Sequence, residues 1–144
     1  IVYSTISYVL PSNIEDLTLL GNENISGTGN DLDNVIVGNK GNNTIIGEAG
    51  NDLLQGNAGN DTYTGYFDGS GHDVIYDSAG LSDTLDLSGW TSGYNTIAVD
   101  TDFNGFYDSL FIQANNIELD TVFIANYYDN ATNGLGFGCI ENIV

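Results

Sequence analysis

Apolar residues in this chain come in short bursts separated by small and polar ones. The first bursts are Ile1-Val2-Tyr3, Ile6-Ser7-Tyr8-Val9-Leu10 and the segment from Ile14 to Leu19. They are rich in β-branched and aromatic residues, and Pro11-Ser12-Asn13 marks a turn between them. In the middle of the chain the bursts become periodic: Thr44-Ile45-Ile46, Leu53-Leu54-Gln55 and Thr62-Tyr63-Thr64 follow one another at nine-residue intervals. Such triplets make short strands whose middle side chain points inward. Further strands are predicted at Thr96–Val99, Leu110–Gln113, Leu119–Tyr127 and Ile140–Val144, with turns at Ala114-Asn115-Asn116 and Asn130–Gly138. No long 3.6-residue period and no capping box occurs, so the pattern predicts an all-β fold.

Each periodic triplet is preceded by a hexapeptide, and the two together form a nonapeptide. Gly38-Asn39-Lys40-Gly41-Asn42-Asn43, Gly47-Glu48-Ala49-Gly50-Asn51-Asp52 and Gly56-Asn57-Ala58-Gly59-Asn60-Asp61 are in phase. After an insertion of Gly65, Tyr66 and Phe67, the run Asp68-Gly69-Ser70-Gly71-His72-Asp73-Val74-Ile75-Tyr76 restores the register. The consensus is G-G-x-G-x-D-x-U-x, with U a large apolar residue. A flexible linker would not repeat these features in phase, whereas a stacked repeat does. Glycines at positions one and four let the six-residue turn visit positive φ and bring backbone carbonyls close to a point. Aspartate at position six adds a hard, charged oxygen, completing the kind of ligand set that Ca²⁺ prefers.

The pattern resembles the RTX (hemolysin-type) calcium-binding repeats of secreted bacterial proteins. The resemblance is strong from Gly38 to Asp73 and extends more weakly from Ile6 to Ser88; Ser82–Ser88 is similar to the segment following the roll in serralysin-type protease C-terminal domains. It implies a right-handed parallel β-roll in which two nonapeptides make one turn, with strands on two faces and calcium loops along both edges. Repeat n then lies above repeat n+2, which places Asn43 beside Asp61 and Asp52 beside Asp73. The candidate calcium-binding residues are Asn34, Gly38, Lys40, Asn43, Gly47, Ala49, Gly50, Asp52, Gly56, Asn57, Ala58, Gly59, Asp61, Gly69, Gly71 and Asp73.

The repeats degrade towards both ends. Gly27-Thr28-Gly29-Asn30-Asp31-Leu32-Asp33-Asn34 puts Asn34 at the aspartate position and Leu32 at the second glycine, and Asn43 makes the same Asp-to-Asn exchange one block later. An amide oxygen ligates calcium without contributing charge, so the N-terminal sites should be weaker or empty and the strong half should lie between Gly47 and Asp73. Residues 1–26 read as degenerate rungs capping the coil, residues 27–78 as the calcium roll, and residues 79–144 as a C-terminal β cap. Beyond Asp77 the nonapeptide period is expected to stop and antiparallel strands to take over. A second calcium candidate lies there: Asp100, Asp102, Asn104 and Asp108 stand in a D-x-D-x-N-G-x-x-D run resembling the start of an EF-hand-type loop, although Phe111 occupies the twelfth position where a bidentate Glu is expected.

Composition narrows the partners. Twenty acidic residues stand against one basic residue, Lys40, for a formal net charge of −19. Such a chain cannot neutralise phosphates, which excludes nucleic acid and anionic membrane surfaces as partners. Self-repulsion on this scale opposes compaction unless cations bind, so calcium-binding energy becomes folding energy. The 144-residue chain is 41% hydrophobic, enough to fill a core. Cys139 is the only cysteine, so no internal disulfide can form. No segment reads as a transmembrane helix or signal peptide, and the chain opens without Met, as a piece of a longer parent protein would.

Catalytic constellations are lacking. His72, the single histidine, sits at the variable fifth position of a repeat, and no H-E-x-x-H, G-x-S-x-G or phosphate-loop motif occurs. The expected function is therefore a non-catalytic, monomeric calcium-binding module of a larger secreted, extracellular bacterial protein. The resemblance implies type I export, with folding outside the cell on meeting calcium, in support of a covalently attached enzyme or adhesin. An alternative is a carbohydrate-binding module for extracellular polysaccharide, using Trp90, Tyr94, Phe103, Phe106, Tyr107, Tyr127 and Tyr128 as stacking surfaces. Ice binding is a minor alternative, with one Gly-Thr-Gly-Asn copy at Gly27–Asn30 in its favour.

Overall fold

The structure, a computed structural model, describes residues 1–66, 69–77, 82–91, 93–99, 109–114, 120–125 and 140–144. The periodic triplets become strands β5 (Val35–Val37), β6 (Thr44–Ile46), β7 (Leu53–Gln55) and β8 (Thr62–Thr64). Before them lie β1 (Val2–Ser4), β2 (Tyr8–Val9), β3 (Asp16–Leu19) and β4 (Ser26–Thr28). After them come β9 (His72–Tyr76), β10 (Asp83–Leu85), β11 (Tyr94–Val99), β12 (Ser109–Ala114), β13 (Thr121–Ala125) and β14 (Ile140–Ile143). Odd and even strands of the coil separate into two sheets, ordered β1-β3-β5-β7-β9-β13-β12-β11 and β14-β10-β8-β6-β4-β2. Pairing from β1 through β10 skips one strand each time and is parallel, the arrangement of a parallel β-roll.

Register follows from the inward residue of each triplet. Leu17, Ile36, Leu54 and Ile75 stack in one sheet, and Tyr8, Gly27, Ile45, Tyr63 and Leu85 in the other. Leu17, Ile36, Ile45, Leu54, Tyr63, Ile75 and Leu85 are fully excluded from solvent. Each such side chain contributes about 1.5–3 kcal/mol relative to exposure, so seven of them hold the two sheets together. Gly27 interrupts its row for a steric reason. A Cβ there would lie 3.1 Å from both Ile36 Cγ2 and Leu17 Cδ2, which already fill the space from across the core.

The coil runs further than the glycine pattern does. The expected antiparallel strands are present, but parallel stacking also continues beyond Asp77, where the roll was expected to stop. β10 stacks on β8 in parallel, Thr84 opposite Thr62 and Leu85 opposite Tyr63. β13 joins β9 and β14 joins β10, both in parallel. Among the described residues, antiparallel pairing is confined to β11 with β12 and β12 with β13. The physical reason is that Asp83-Thr84-Leu85 keeps the D-x-U end of the nonapeptide, and those are the residues that make the strand and fill the core. Only the glycines at positions one and four are lost, to Ser78 and Leu81. At the other end β1 and β3 pair in the same parallel register as the glycine-rich rungs.

Candidate metal centre

Two edges of the roll carry the loops. One holds the turns 29–34, 47–52 and 69–73, which lead into β5, β7 and β9; the other holds 38–43, 56–61 and Asp83 at the start of β10. Position-six residues stack along each edge and are joined by side-chain-to-backbone bonds. On the first edge Asn34 N–H donates to Asp52 Oδ1 (2.8 Å) and Asp52 N–H to Asp73 Oδ1 (2.9 Å). On the second, Asn43 N–H donates to Asp61 Oδ1 (2.7 Å) and Asp61 N–H to Asp83 Oδ1 (2.7 Å). The stacking of Asn43 on Asp61 and of Asp52 on Asp73 is thus as expected, with one carboxylate oxygen clasping the rung below.

The second oxygen is the telling one. Asp52 Oδ2 and Asp61 Oδ2 are buried and have no hydrogen-bond partner among the described residues. A buried anionic oxygen left unpaired is strongly unfavourable unless a cation or donor meets it. Glycine at position one keeps the space beside it open. A Cβ on Gly47 would fall on Asp52 Oδ2, and one on Gly56 on Asp61 Oδ2. Position-one glycine therefore serves to leave room and not, as expected, to reach positive φ. Among the position-four glycines, Gly50 (φ 122°), Gly59 (φ 121°) and Gly71 (φ 102°) have positive φ and Gly41 does not. Added side chains at Gly50 and Gly59 would also strike the backbone of Leu32 and of Gly41 on the rung below. At position two, Glu48 (φ 74°) and Asn57 (φ 75°) adopt the left-handed conformation without being glycine.

Electrostatics agree with this reading. Burial pushes the Asp52 carboxyl up to about 6, with Asp33 and Glu48 adding to the effect and the Asn34 N–H opposing it. Burial likewise raises Asp61 to about 6, reinforced by Asp83, and Asp73 to about 8, reinforced by Asp52 and Asp120. A bound divalent cation reverses such logic by favouring the ionised form. At the end of the second edge, carboxylate oxygens of Asp61, Asp77 and Asp83 all lie within 4.8 Å of one another, and all three residues are buried. The Tyr63 hydroxyl donates to Asp77 Oδ2 at 2.8 Å.

The expected ligands distribute as follows. Asn34, Gly47, Ala49, Gly50, Asp52, Gly69, Gly71 and Asp73 stand on the first edge; Gly38, Lys40, Asn43, Gly56, Asn57, Ala58, Gly59 and Asp61 on the second. Asp100, Asp102, Asn104 and Asp108 lie outside the described residues, as do Cys139 and the aromatics Phe103, Phe106, Tyr107, Tyr127 and Tyr128. Three acidic groups escaped the sequence reading. Asp83 was visible as the first residue of a D-x-U triplet, like Asp61-Thr62-Tyr63. Asp77 stands in the turn that leads to it. Asp120 accepts from the Gly69 and Gly71 N–H groups (2.6 and 3.0 Å), a pairing across about fifty residues that no local pattern announces. His72 is exposed, with Nδ1 2.8 Å from Thr121 Oγ1. Trp90 is buried edge-on against Tyr66, their centroids 6.1 Å apart, and so offers no open stacking face.

Residues 28–63 match the family model of the RTX calcium-binding nonapeptide repeat, in four copies. The chain carries an RTX repeat module. No curated protein and no solved structure matches it. The match covers the turns of both edges from Gly29 to Asp61, and the parallel coil continues beyond it through β9 and β10.

Proposed function

We propose that this RTX module binds calcium at its aspartate turns and is thereby converted into an ordered roll outside the cell, as the non-catalytic part of a larger secreted bacterial protein. The ligands would be the carboxylates of Asp52, Asp61, Asp73 and Asp83, with Asp77 joining Asp61 and Asp83, and carbonyls of the facing turns. Calcium supplies positive charge at oxygens that the protein itself leaves uncompensated. The observation that carries the reading is the pair of buried, unpartnered oxygens on Asp52 and Asp61, each kept open by a glycine. Hard oxygen donors are what calcium takes and what softer metals pass over. The −19 charge makes the compact state depend on those cations. An attached enzyme or adhesin would gain a fold that forms only after export, where calcium is millimolar.

Circular dichroism tests this directly. The β signal of the chain should rise with a midpoint in the ~10⁻⁴–10⁻³ M range usual for extracellular calcium modules. A spectrum identical in excess chelator and in millimolar calcium would overturn the proposal.

A further inference from the structure

The N-terminal turns differ from the aspartate turns in a way that charge alone does not describe. In the turn 29–34, Asn30 Nδ2 donates to two carbonyls of the rung below, Pro11 O (2.7 Å) and Ile14 O (2.8 Å). In the turn 38–43, Asn39 Nδ2 does the same to Leu20 O (3.2 Å) and Glu23 O (3.0 Å). The carbonyls are three residues apart in both cases. Within each turn the second asparagine closes the first. Asn34 Oδ1 accepts from Asn30 N–H (2.7 Å) and Asn43 Oδ1 from Asn39 N–H (2.8 Å). Asn34 Nδ2 returns a bond to Asn30 Oδ1 (3.3 Å) and Asn43 Nδ2 to Asn39 Oδ1 (2.9 Å). Asn43 Nδ2 also reaches Ile25 O at 2.9 Å.

We infer that these two turns are latched by asparagine amides instead of cations, so that the N-terminal rungs form a calcium-independent template on which the aspartate rungs assemble. A primary amide presents two N–H groups and no net charge. Lodged between successive turns, it gathers two carbonyl oxygens as a divalent ion would, without needing a carboxylate to balance it. Asn39 and Asn43 are buried, and both polar atoms of each side chain are paired. The next turns do not repeat the two-carbonyl bond. Glu48 replaces the first asparagine on one edge and has no N–H to give. Asn57 occupies the place on the other, and from a left-handed backbone its amide keeps one of the two bonds, to Gly38 O (2.7 Å). There the carboxylates of Asp52 and Asp61 take over, with unpartnered oxygens. The template also has its own core, because Leu17, Leu19, Ile36 and Ile45 are buried. It fixes the register in which the following strands add. The inference rests on the calcium reading of the aspartate turns, and the experiment separates the two.

Amide hydrogen exchange of the whole chain should be followed by mass spectrometry in chelator and in millimolar calcium. Peptides spanning Asp16–Ile46 should be protected in both conditions, and peptides spanning Leu53–Leu85 in calcium alone. Exchange of the first group in chelator as fast as the second would overturn the template. Equal protection of Leu53–Leu85 in both conditions would instead overturn the calcium reading. In Asn39→Asp, protection of Val35–Ile46 in chelator should fall about tenfold or more, because two carbonyls lose their donor and meet a carboxylate. Calcium should leave the fold of this variant intact. Unchanged protection in the variant would overturn the amide latch whatever the wild-type result.

Discussion

Replacing Asp61 by alanine should lower the melting midpoint of the calcium-loaded protein by roughly 10–20 °C, as read by thermal circular dichroism. Two losses add. The Asn43 N–H loses its acceptor inside the roll, a loss of about 1–3 kcal/mol. A calcium ion present at a hundred times its dissociation constant contributes about 2.7 kcal/mol of linked stability, which disappears with the site. The sum of about 4–6 kcal/mol corresponds to the stated shift for a chain of this size. Asn34→Ala, in an amide-closed turn, should leave calcium binding almost unchanged. Asp61→Asn separates charge from geometry, since its Oδ1 still accepts from Asn43. It should melt below wild type in calcium but above it in chelator, where the buried charge opposes folding. The pH dependence in chelator has the same origin. Folded-state values of about 6 for Asp52 and Asp61 and about 8 for Asp73 lie above those of the unfolded chain, so the protonated forms favour the roll. That stability is full below about pH 4 and is lost as pH rises through 6 and then 8. The chain in chelator should therefore keep more β structure at pH 5 than at pH 8, and in calcium the order should reverse because ligands must be ionised. A pH-independent apo spectrum, or an Asp61→Asn that is less stable in chelator, would contradict the electrostatic account.

Tyr63→Ala should destabilise the calcium-loaded roll by about 3–5 kcal/mol in chemical denaturation. Tyr63 is fully buried in the row Gly27, Ile45, Tyr63, Leu85, and it faces a core that cannot close over the space a ring would leave. Its hydroxyl also reaches out of the core to Asp77, linking the packing of the sheets to the Asp61–Asp77–Asp83 cluster. Tyr63→Phe keeps the ring and removes that link, so its effect should be smaller, about 1.5–3 kcal/mol for a hydrogen bond to a charged group. It should also shift the calcium titration, which core loss alone would not do. An alanine variant no less stable than the phenylalanine one would mean that the ring does not hold this part of the core.

Much of this arrangement could be read from spacing. A nine-residue period with one inward residue per triplet places Leu54 over Ile36 and Asp61 over Asn43, because both partners stand eighteen positions apart. The insertion of Gly65, Tyr66 and Phe67 stretches the next spacing to 21 and leaves the pairing of Asp52 with Asp73 intact. Turn chemistry was harder to see. Glycine at position one looks like a conformational requirement, whereas the structure shows it making room for a carboxylate. The rung at Asp83 was hidden because it stands 22 residues from Asp61 and has Ser78 and Leu81 where the repeat has its position-one and position-four glycines. Asp120 arrives through β13, after an antiparallel excursion that no periodicity encodes. The amide latch had a local signal that went unread: asparagine directly after glycine, with a second asparagine four residues on, in both Gly29–Asn34 and Gly38–Asn43.

The central claim is that calcium meets the free oxygens of the aspartate turns and bypasses the asparagine turns. Anomalous diffraction from crystals grown in millimolar calcium addresses it most directly. Peaks are expected about 2.3–2.6 Å from Asp52 Oδ2 and Asp61 Oδ2, and none against the amides of Asn30 and Asn39. Water at both carboxylates with no anomalous signal, or ions seated in the asparagine turns, would contradict the account.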